Sequence, residues 1–489
     1  MSINKRQLFQ TLPTEWPQDV LPEIARRLSG SGQTVVVLDD DPTGTQTVHG
    51  IPVLTEWSLK TLQAEIERGS RAFYILTNTR AMSLDKARQI NQEIITNLSE
   101  AIGHPTPGGN QPGPRAILLS RSDSTLRGHY PGEVEALRTP PTAHAPTLIV
   151  PAFFAGGRYT IEDVHYVATG DELVPAGETE FARDASFGYH ASNLRDWVEE
   201  KTDGHIQRHD VVSISLDDSR LGGPEVVLHK LLALAPNSVC IVNAASERDL
   251  EVVALAALEC EARGHPLLYR TAASFARAMA GITPRPLLDT NELTTALAAA
   301  SRSDARHGAQ RPSGGLIVVG SYVPKTSGQL EVLLATGINA SEVNVEAVLD
   351  DAQRQAEIDR VARQADRLIA SGRDAVIYTS RARVTGKSAG DSLVIGNRIS
   401  DALVAIVRGI ACQPRFVLAK GGITSSDVAT KALDVKRALV LGQLLPGVPV
   451  WQLGAESRYP QSMYVVFPGN VGGPDLLIEA WRKLTTGTQ

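Results

Sequence analysis

The chain predicts an α/β fold of two domains, each a mostly parallel sheet flanked by helices. Three observations predict it. Short apolar runs such as 34–38, 73–76, 148–150 and 315–319 recur, rich in Val, Ile and Leu as strands buried on both faces are. Most are followed by a polar turn and then an amphipathic stretch, the order that builds a parallel sheet with helices on its faces. A polar, breaker-containing stretch at 301–314 without apolar period separates two such series. The expected division is an arm at 1–33, a first domain at 34–300, a linker at 301–314 and a second domain at 315–489.

Residues 1–33 read as a polar arm with one short helix around 21–28. The strand at 34–38 then delivers Asp39, Asp40 and Asp41 at its carboxyl end, where open α/β sheets bind ligands. Pro42 and Gly44 force a turn that offers the hydroxyls of Thr43, Thr45 and Thr47. Three adjacent carboxylates repel one another unless cations or donors lie nearby. The turn therefore suits polyol hydroxyls, a metal ion or a catalytic base, with a solvated acidic turn as the plain alternative.

The stretch 51–54 reads as extended and 59–68 as an amphipathic helix, with Leu59, Leu62 and Ile66 on one face. The strand 73–76 ends in Thr77 to Arg80, and Ser83 caps a helix running through Leu98. The segment 103–114 holds four prolines and four glycines and reads as a surface loop. The strand 115–120 leads to Arg121-Ser-Asp-Ser-Thr-Leu-Arg-Gly128, and 148–150 leads to Pro151-Ala-Phe-Phe-Ala-Gly-Gly-Arg158. Four strand ends with polar clusters on one sheet edge argue for a pocket, over which the polar excursion 177–183 folds. Strands at 211–216 and 239–243, each followed by a helix, complete the first half.

In the second half, 315–320 is a buried strand and Ser321 starts the next turn. Helices are expected at 326–334 and 356–370, strands at 374–379, 416–419, 450–453 and 464–467, and a further helix at 427–433. Small-residue turns follow three of these strands: Gly320-Ser321, Gly421-Gly422 with Thr424, and Gly469-Asn-Val-Gly-Gly473. Glycines let the backbone approach a phosphate, and N–H groups bind it. Neither the Walker pattern nor the dinucleotide Gly-x-Gly-x-x-Gly fingerprint is present.

A net charge of −6 without any basic tract argues against nucleic-acid or anionic-membrane partners. Cys240, Cys260 and Cys412 are far apart and form no Cys-x-x-Cys pair, so neither a disulfide framework nor a zinc site is indicated. His49, His129 and His165 show no metal-ligand spacing, and the metal ligands stay unassigned. The polar first ten residues and the lack of a long apolar run make the cytoplasm the default location.

Arg80, Arg121, Asp123 and Arg127 suit a small anionic, hydroxylated ligand, since the guanidinium fork matches a carboxylate or phosphate and Asp accepts from hydroxyls. An acid site in one domain and a phosphate cradle in the other implies phosphoryl transfer across the inter-domain cleft, with Mg²⁺ bridging phosphate oxygens.

The ordered motifs Asp40-Asp-Pro-Thr-Gly44, Arg121 to Gly128, Pro151 to Arg158, Gly320-Ser321, Gly421-Gly-Ile-Thr424 and Gly469-Asn-Val-Gly472 span 34–475. In them the chain resembles the four-carbon acid sugar kinases, which act on 3-oxo-tetronate, threonate or erythronate. The resemblance implies ATP-dependent phosphorylation of a terminal hydroxyl on a tetronate-like acid. Asp40 and Asp41 are the expected catalytic pair. Thr43, Gly44, Arg80, Arg121, Asp123, Ser124, Arg127 and Arg158 are expected at the sugar acid. Ser321, Lys420, Gly421, Gly422, Ile423, Thr424, Gly469, Asn470 and Gly472 are expected at the nucleotide. Ile423 stands where the family usually has an acid, Phe467 where it often has Lys, and His129 where Asn is commoner. Ile423 and Phe467 motivate a second reading, a non-catalytic sugar-acid-binding relative. An NAD-linked oxidoreductase fits the α/β order but lacks the fingerprint. Sugar acid and ATP are the expected partners, and a homodimer is allowed for.

Overall fold

The computed structural model describes residues 2–103, 115–304, 313–381 and 389–485. The chain forms two compact units, Met1–Val48 with Glu56–Pro284, and His49–Thr55 with Arg285–Gln489. Each is an α/β unit.

In the first unit seven strands form a wholly parallel sheet. Their order is Val212–Ile214, Val239–Val242, Thr147–Val150, Leu268–Thr271, Arg115–Arg121, Gln33–Asp39, Ala72–Leu76. Val35, Val36 and Val37 lie mid-sheet and are fully buried, which explains why the run is apolar throughout and not alternating. The helix Leu84–Ile102 starts where the Ser83 side chain accepts from the Lys86 N–H at 3.4 Å. It buries Ala87, Ile90, Ile94, Ile95 and Leu98, one stripe at helical spacing. Each such Ile or Leu contributes about 1.5–3 kcal/mol, so Ile94→Asp would unseat the helix. Helix Glu247–Ala262 begins with a reciprocal cap between Ser246 and Asp249.

A second, antiparallel sheet in this unit orders Ile3–Asn4, Glu172–Pro175, Val164–Thr169 and Arg158–Ile161. The expected arm is therefore part of the unit. Ile3–Asn4 pairs with Glu172 and Leu173, and Leu8, Phe9 and Leu12 of the helix Lys5–Thr11 region pack on Tyr159, Ile161 and Tyr166. A second helix, Leu21–Ser31, is longer than expected.

The sheet of the second unit orders Ile51–Leu54, Arg437–Leu445, Val448–Leu453, Met463–Phe467, Phe416–Lys420, Leu316–Val319, Ala375–Thr379 and Ala340–Val343. The last five are parallel and the first three pairings antiparallel. Two differences from the sequence-based division stand out. Residues 51–54, early in the chain, join the second unit as a strand paired antiparallel with Arg437–Leu445. The boundary also falls after Pro284, not near 300. Leu288, Leu293, Ala296 and Leu297 bury against Leu444, Leu445 and Val465 in the second core, and helix Thr290–Asp304 carries three of them. Of the expected linker, 305–312 lie outside the described residues, as do 104–114 of the expected Gly/Pro loop.

Candidate functional site

Two clusters form, one at the carboxyl edge of each parallel sheet. In the first unit the strands Gln33–Asp39, Ala72–Leu76 and Arg115–Arg121 are neighbours, with Asp39 in register with both Leu76 and Arg121. That register alone brings the aspartate turn, Arg80 and the 121–128 loop together. Arg80 grips Asp40 bidentately, Nη2 to Oδ1 and Nε to Oδ2 at 3.1 Å. Its Nη1 also lies 3.5 Å from Asp41 Oδ2 and 3.6 Å from Asp123 Oδ1. Arg121 Nη1 donates to Asp39 Oδ1 at 3.1 Å, and Ser122 Oγ donates to Asp40 Oδ2 at 3.1 Å.

Asp41 caps the turn Pro42–Thr47, its Oδ1 accepting from the Thr43 N–H at 2.9 Å and from the Thr43 hydroxyl. A Cβ on Gly44 would overlap the Asp39 carboxylate, so only glycine lets the turn close over it. Asp123 accepts from Arg127 Nε at 2.8 Å, from the Thr125 N–H at 3.2 Å and from the Thr125 hydroxyl. Arg127 and Arg158 both lie over the Phe181 ring, at 5.2 and 5.5 Å. The 177–183 excursion thus reaches the guanidinium pair. Arg158 donates through Nη1 to the Gly156 carbonyl, while its buried Nε has no partner among the described residues.

The electrostatics sort the carboxylates. Burial pushes Asp39 up to about 7 against the pull of Arg121, with Asp40 and Asp41 adding to the rise. Burial would raise Asp41 too, but Arg80 and the Thr43 bonds hold it below the usual range. Asp123 is likewise buried, yet Arg80 and Arg127 keep it well below that range. Side-chain exposure separates the first three: 2% for Asp39, 6% for Asp40 and 24% for Asp41. Asp41 is the most exposed of the three.

Beneath this cluster sit Arg270 and Glu133, which the sequence reading missed, and His165. Arg270 is fully buried, donates to the Arg127 carbonyl at 3.1 Å and lies 3.7 Å from Glu133. Burial holds Glu133 up at about 7. His165 Nε2 meets the Ser124 carbonyl at 2.8 Å, and burial keeps its ring near 4, hence neutral at pH 7. Ser124 thus enters through its backbone. Ser122 and Thr125 were legible inside the 121–128 motif; Arg270 was not, because a lone Arg in a short strand carries no site signal.

In the second unit four neighbouring parallel strands end together: Val319 is in register with Lys420 and Tyr378, and Lys420 with Phe467. This gathers Gly320-Ser321, Gly421-Gly422 and Gly469-Asn470. Gly421 has φ +112°, and a Cβ there would stand 3.0 Å from Ser321 Cβ. A Cβ on Gly320 would overlap the Thr424 hydroxyl, and one on Gly469 would lie 3.6 Å from Ser321 Oγ. Helix Gly422–Asp427 starts at once, earlier than expected, and passes into a wider π turn at Val428–Ala432. Lys325 Nζ and Thr326 Oγ1 hold the Asn470 and Gly469 carbonyls at 3.1 and 3.2 Å. Gly472 turns the chain at φ +80° toward the last helix.

One expected residue points elsewhere. Lys420 is fully buried, its Nζ donating to the Pro468 carbonyl at 3.0 Å and lying 4.2 Å from the Phe467 ring centroid. Burial pushes it down to about 7. Ile423 is 60% exposed. For a nucleotide the donor set fits, with open backbone at glycines that a Cβ would fill and small hydroxyls beside it. Among the described residues no cluster of three His, Cys, Asp or Glu is placed to hold a metal ion. Nor does any described helix have the length and apolarity to cross a membrane.

Comparisons with known proteins agree with this division. Residues 35–279 match a sugar-binding N-terminal domain family and residues 316–477 a nucleotide-binding C-terminal domain family. The chain is 27% identical over 338 residues to a D-erythronate kinase of Heliobacterium modesticaldum, a match spanning 67% of this chain and 66% of that protein. It is similar in fold to a Salmonella typhimurium LT2 protein provisionally described as a tRNA synthase. The TM-score is 0.62 at 17% identity, covering 92% of this chain and 99% of that one. A Haemophilus influenzae protein of a domain-of-unknown-function family gives a TM-score of 0.58 at 17% identity, covering 91% and 99%. At that identity these two structures speak for the fold alone.

Proposed function

Because the chain belongs to the four-carbon acid sugar kinase family, we propose that it transfers a phosphoryl group from ATP to a terminal hydroxyl of a short sugar acid. D-erythronate and other tetronates are the first candidates, on the strength of the curated relative. The observation that carries the reading is the Asp–Arg network at the carboxyl edge of the first sheet, around Asp40, Asp41, Arg80 and Asp123.

Each residue has a role that its surroundings support. Arg158 has no carboxylate partner among the described residues and keeps a free buried N–H, so it takes the carboxylate of the sugar acid. Phe181 lies against Arg158 and Arg127 and keeps water from that contact. Asp41 Oδ2 accepts the proton of the reacting hydroxyl. Its low proton affinity is tolerable because a loose phosphoryl-transfer transition state asks little of the base. Asp40 acts through Arg80, fixing the guanidinium that faces Asp41 and Asp123.

In the second unit, the open backbone at Gly421 and Gly469 and the hydroxyls of Ser321 and Thr424 receive the phosphate chain. ATP supplies the phosphoryl group, and Mg²⁺ is expected to arrive on its phosphates, since such ions commonly keep few protein ligands. ADP release measured over a panel of tetronates and 3-oxo-tetronates tests the proposal. Turnover with at least one acid is expected; none with any, in folded protein and Mg-ATP, overturns it. The exposed Ile423 in the glycine turn favours one competing reading, a relative that binds the acid without catalysis. Calorimetry separates the two, because that relative would bind the acid and ignore Mg-ATP.

A further inference from the structure

We propose that Arg381 is a phosphate-binding residue of the nucleotide site, holding an anionic oxygen with N–H groups its own fold leaves unused. The inference rests on the nucleotide reading above and deepens it. Arg381 lies just beyond the strand Ala375–Thr379, whose neighbour Leu316–Val319 leads to Ser321. Its Nη2 donates to the Ser321 carbonyl at 2.9 Å and to the Thr379 hydroxyl at 3.3 Å. The guanidinium is therefore tied to the residue that Gly421 and Gly469 approach most closely.

Its other donors are the informative ones. Nε and Nη1 are both buried and, among the described residues, have no hydrogen-bond partner. Among the described residues no carboxylate comes within the 4.0 Å of an ion pair. The acid that acts on it, Glu342, is itself engaged by the Tyr378 hydroxyl at 3.2 Å. A guanidinium cannot shed its proton at neutral pH, so burial without a counter-charge is costly. Burial lowers its pKa, the direction expected of a cation lacking its anion. Elsewhere in the chain the buried guanidinium groups of Arg80, Arg121 and Arg220 are each paired with Asp. Arg381 differs in standing beside turns suited to a polyanion, which would supply the missing charge.

The test is calorimetric titration of the full chain and of Arg381→Gln with ATP, adenosine and D-erythronate. Arg381→Gln is expected to weaken ATP about 10- to 100-fold, the size of a lost charge-assisted contact, with adenosine and D-erythronate unchanged. Adenosine is the control for a general loss of structure, because a disturbed second unit weakens both ligands while loss of a phosphate contact weakens ATP alone. Equal ATP affinity in the two proteins overturns the inference and leaves the nucleotide reading standing. No ATP binding by the unaltered chain overturns both. Should Arg381→Gln not fold, Arg381→Lys decides, because a compact ammonium lacks the planar fork that reaches Ser321 and a phosphate from opposite sides. A several-fold loss of ATP affinity there supports the inference; unaltered affinity overturns it.

Discussion

The carboxyl edges of the two parallel sheets share one architecture and opposite chemistry. In the first unit the edge is built of charged side chains, four carboxylates from Asp39 to Asp123 braced by Arg80, Arg121 and Arg127. In the second it is built of backbone, with Gly320, Gly421 and Gly469 around Ser321 and Thr424. A small hydroxylated acid carries little charge and must be oriented by directional side chains. A triphosphate carries much charge and needs many modest donors at close range. The difference teaches that a sheet edge supplies convergence, while the composition of its loops decides the ligand.

The sharpest way to break the comparison is Asp41→Asn. If the charged edge does chemistry, kcat falls about 10²- to 10⁴-fold while nucleotide affinity stays, as calorimetry with ATP would register. Removing Arg158, which has no carboxylate partner among the described residues, comes next. Arg158→Gln is expected to raise KM for the sugar acid about 10- to 100-fold with a smaller change in kcat, and steady-state kinetics separates the two.

On the backbone-built edge, Gly421→Ala should leave sugar-acid binding intact and weaken ATP several-fold. It forces Ala to φ +112° against Ser321, a strain of about 1–3 kcal/mol that also shows as a lower Tm. The smallest effect is on pH dependence, and the two edges differ in sign. Lys420 releases its proton at about 7 when folded, against 10.5 for its ordinary value, so the unfolded chain holds more protons between those limits. Stability from this group therefore rises with pH from about 7 to 10.5, and Lys420→Met should flatten that rise. Asp39 runs oppositely: at about 7 when folded and 3.8 ordinarily, it makes the folded chain lose stability as pH climbs from about 4 to 7. Thermal melts of Lys420→Met and Asp39→Asn beside the unaltered chain across pH 4 to 10 check each slope.

Local chemistry was legible where a short stretch carries its own instruction. The Val-rich run at 35–37, the Ser83 cap, the 121–128 motif and the three glycine turns all have immediate causes in neighbouring residues. Strands lacking such a signal went unread. Leu268–Thr271 contains Arg270, a residue that a buried strand admits only because Glu133 and Trp197, far away in sequence, lie against it. In Arg437–Leu445 the buried positions alternate, yet Leu439 and Leu441 on the less buried face obscure the period.

By itself, then, the order of residues determined the α/β class, the presence of two sheet edges and the kind of side chain each offers, because strand, turn and cap preferences act over a few residues. Only the tertiary structure decided that Arg80 bridges three aspartates, that residues 51–54 complete the second unit's sheet, and that Lys420 turns inward while Arg381 is left with unused donors. Those outcomes depend on strand order and burial, which are set by contacts between residues tens to hundreds of positions apart.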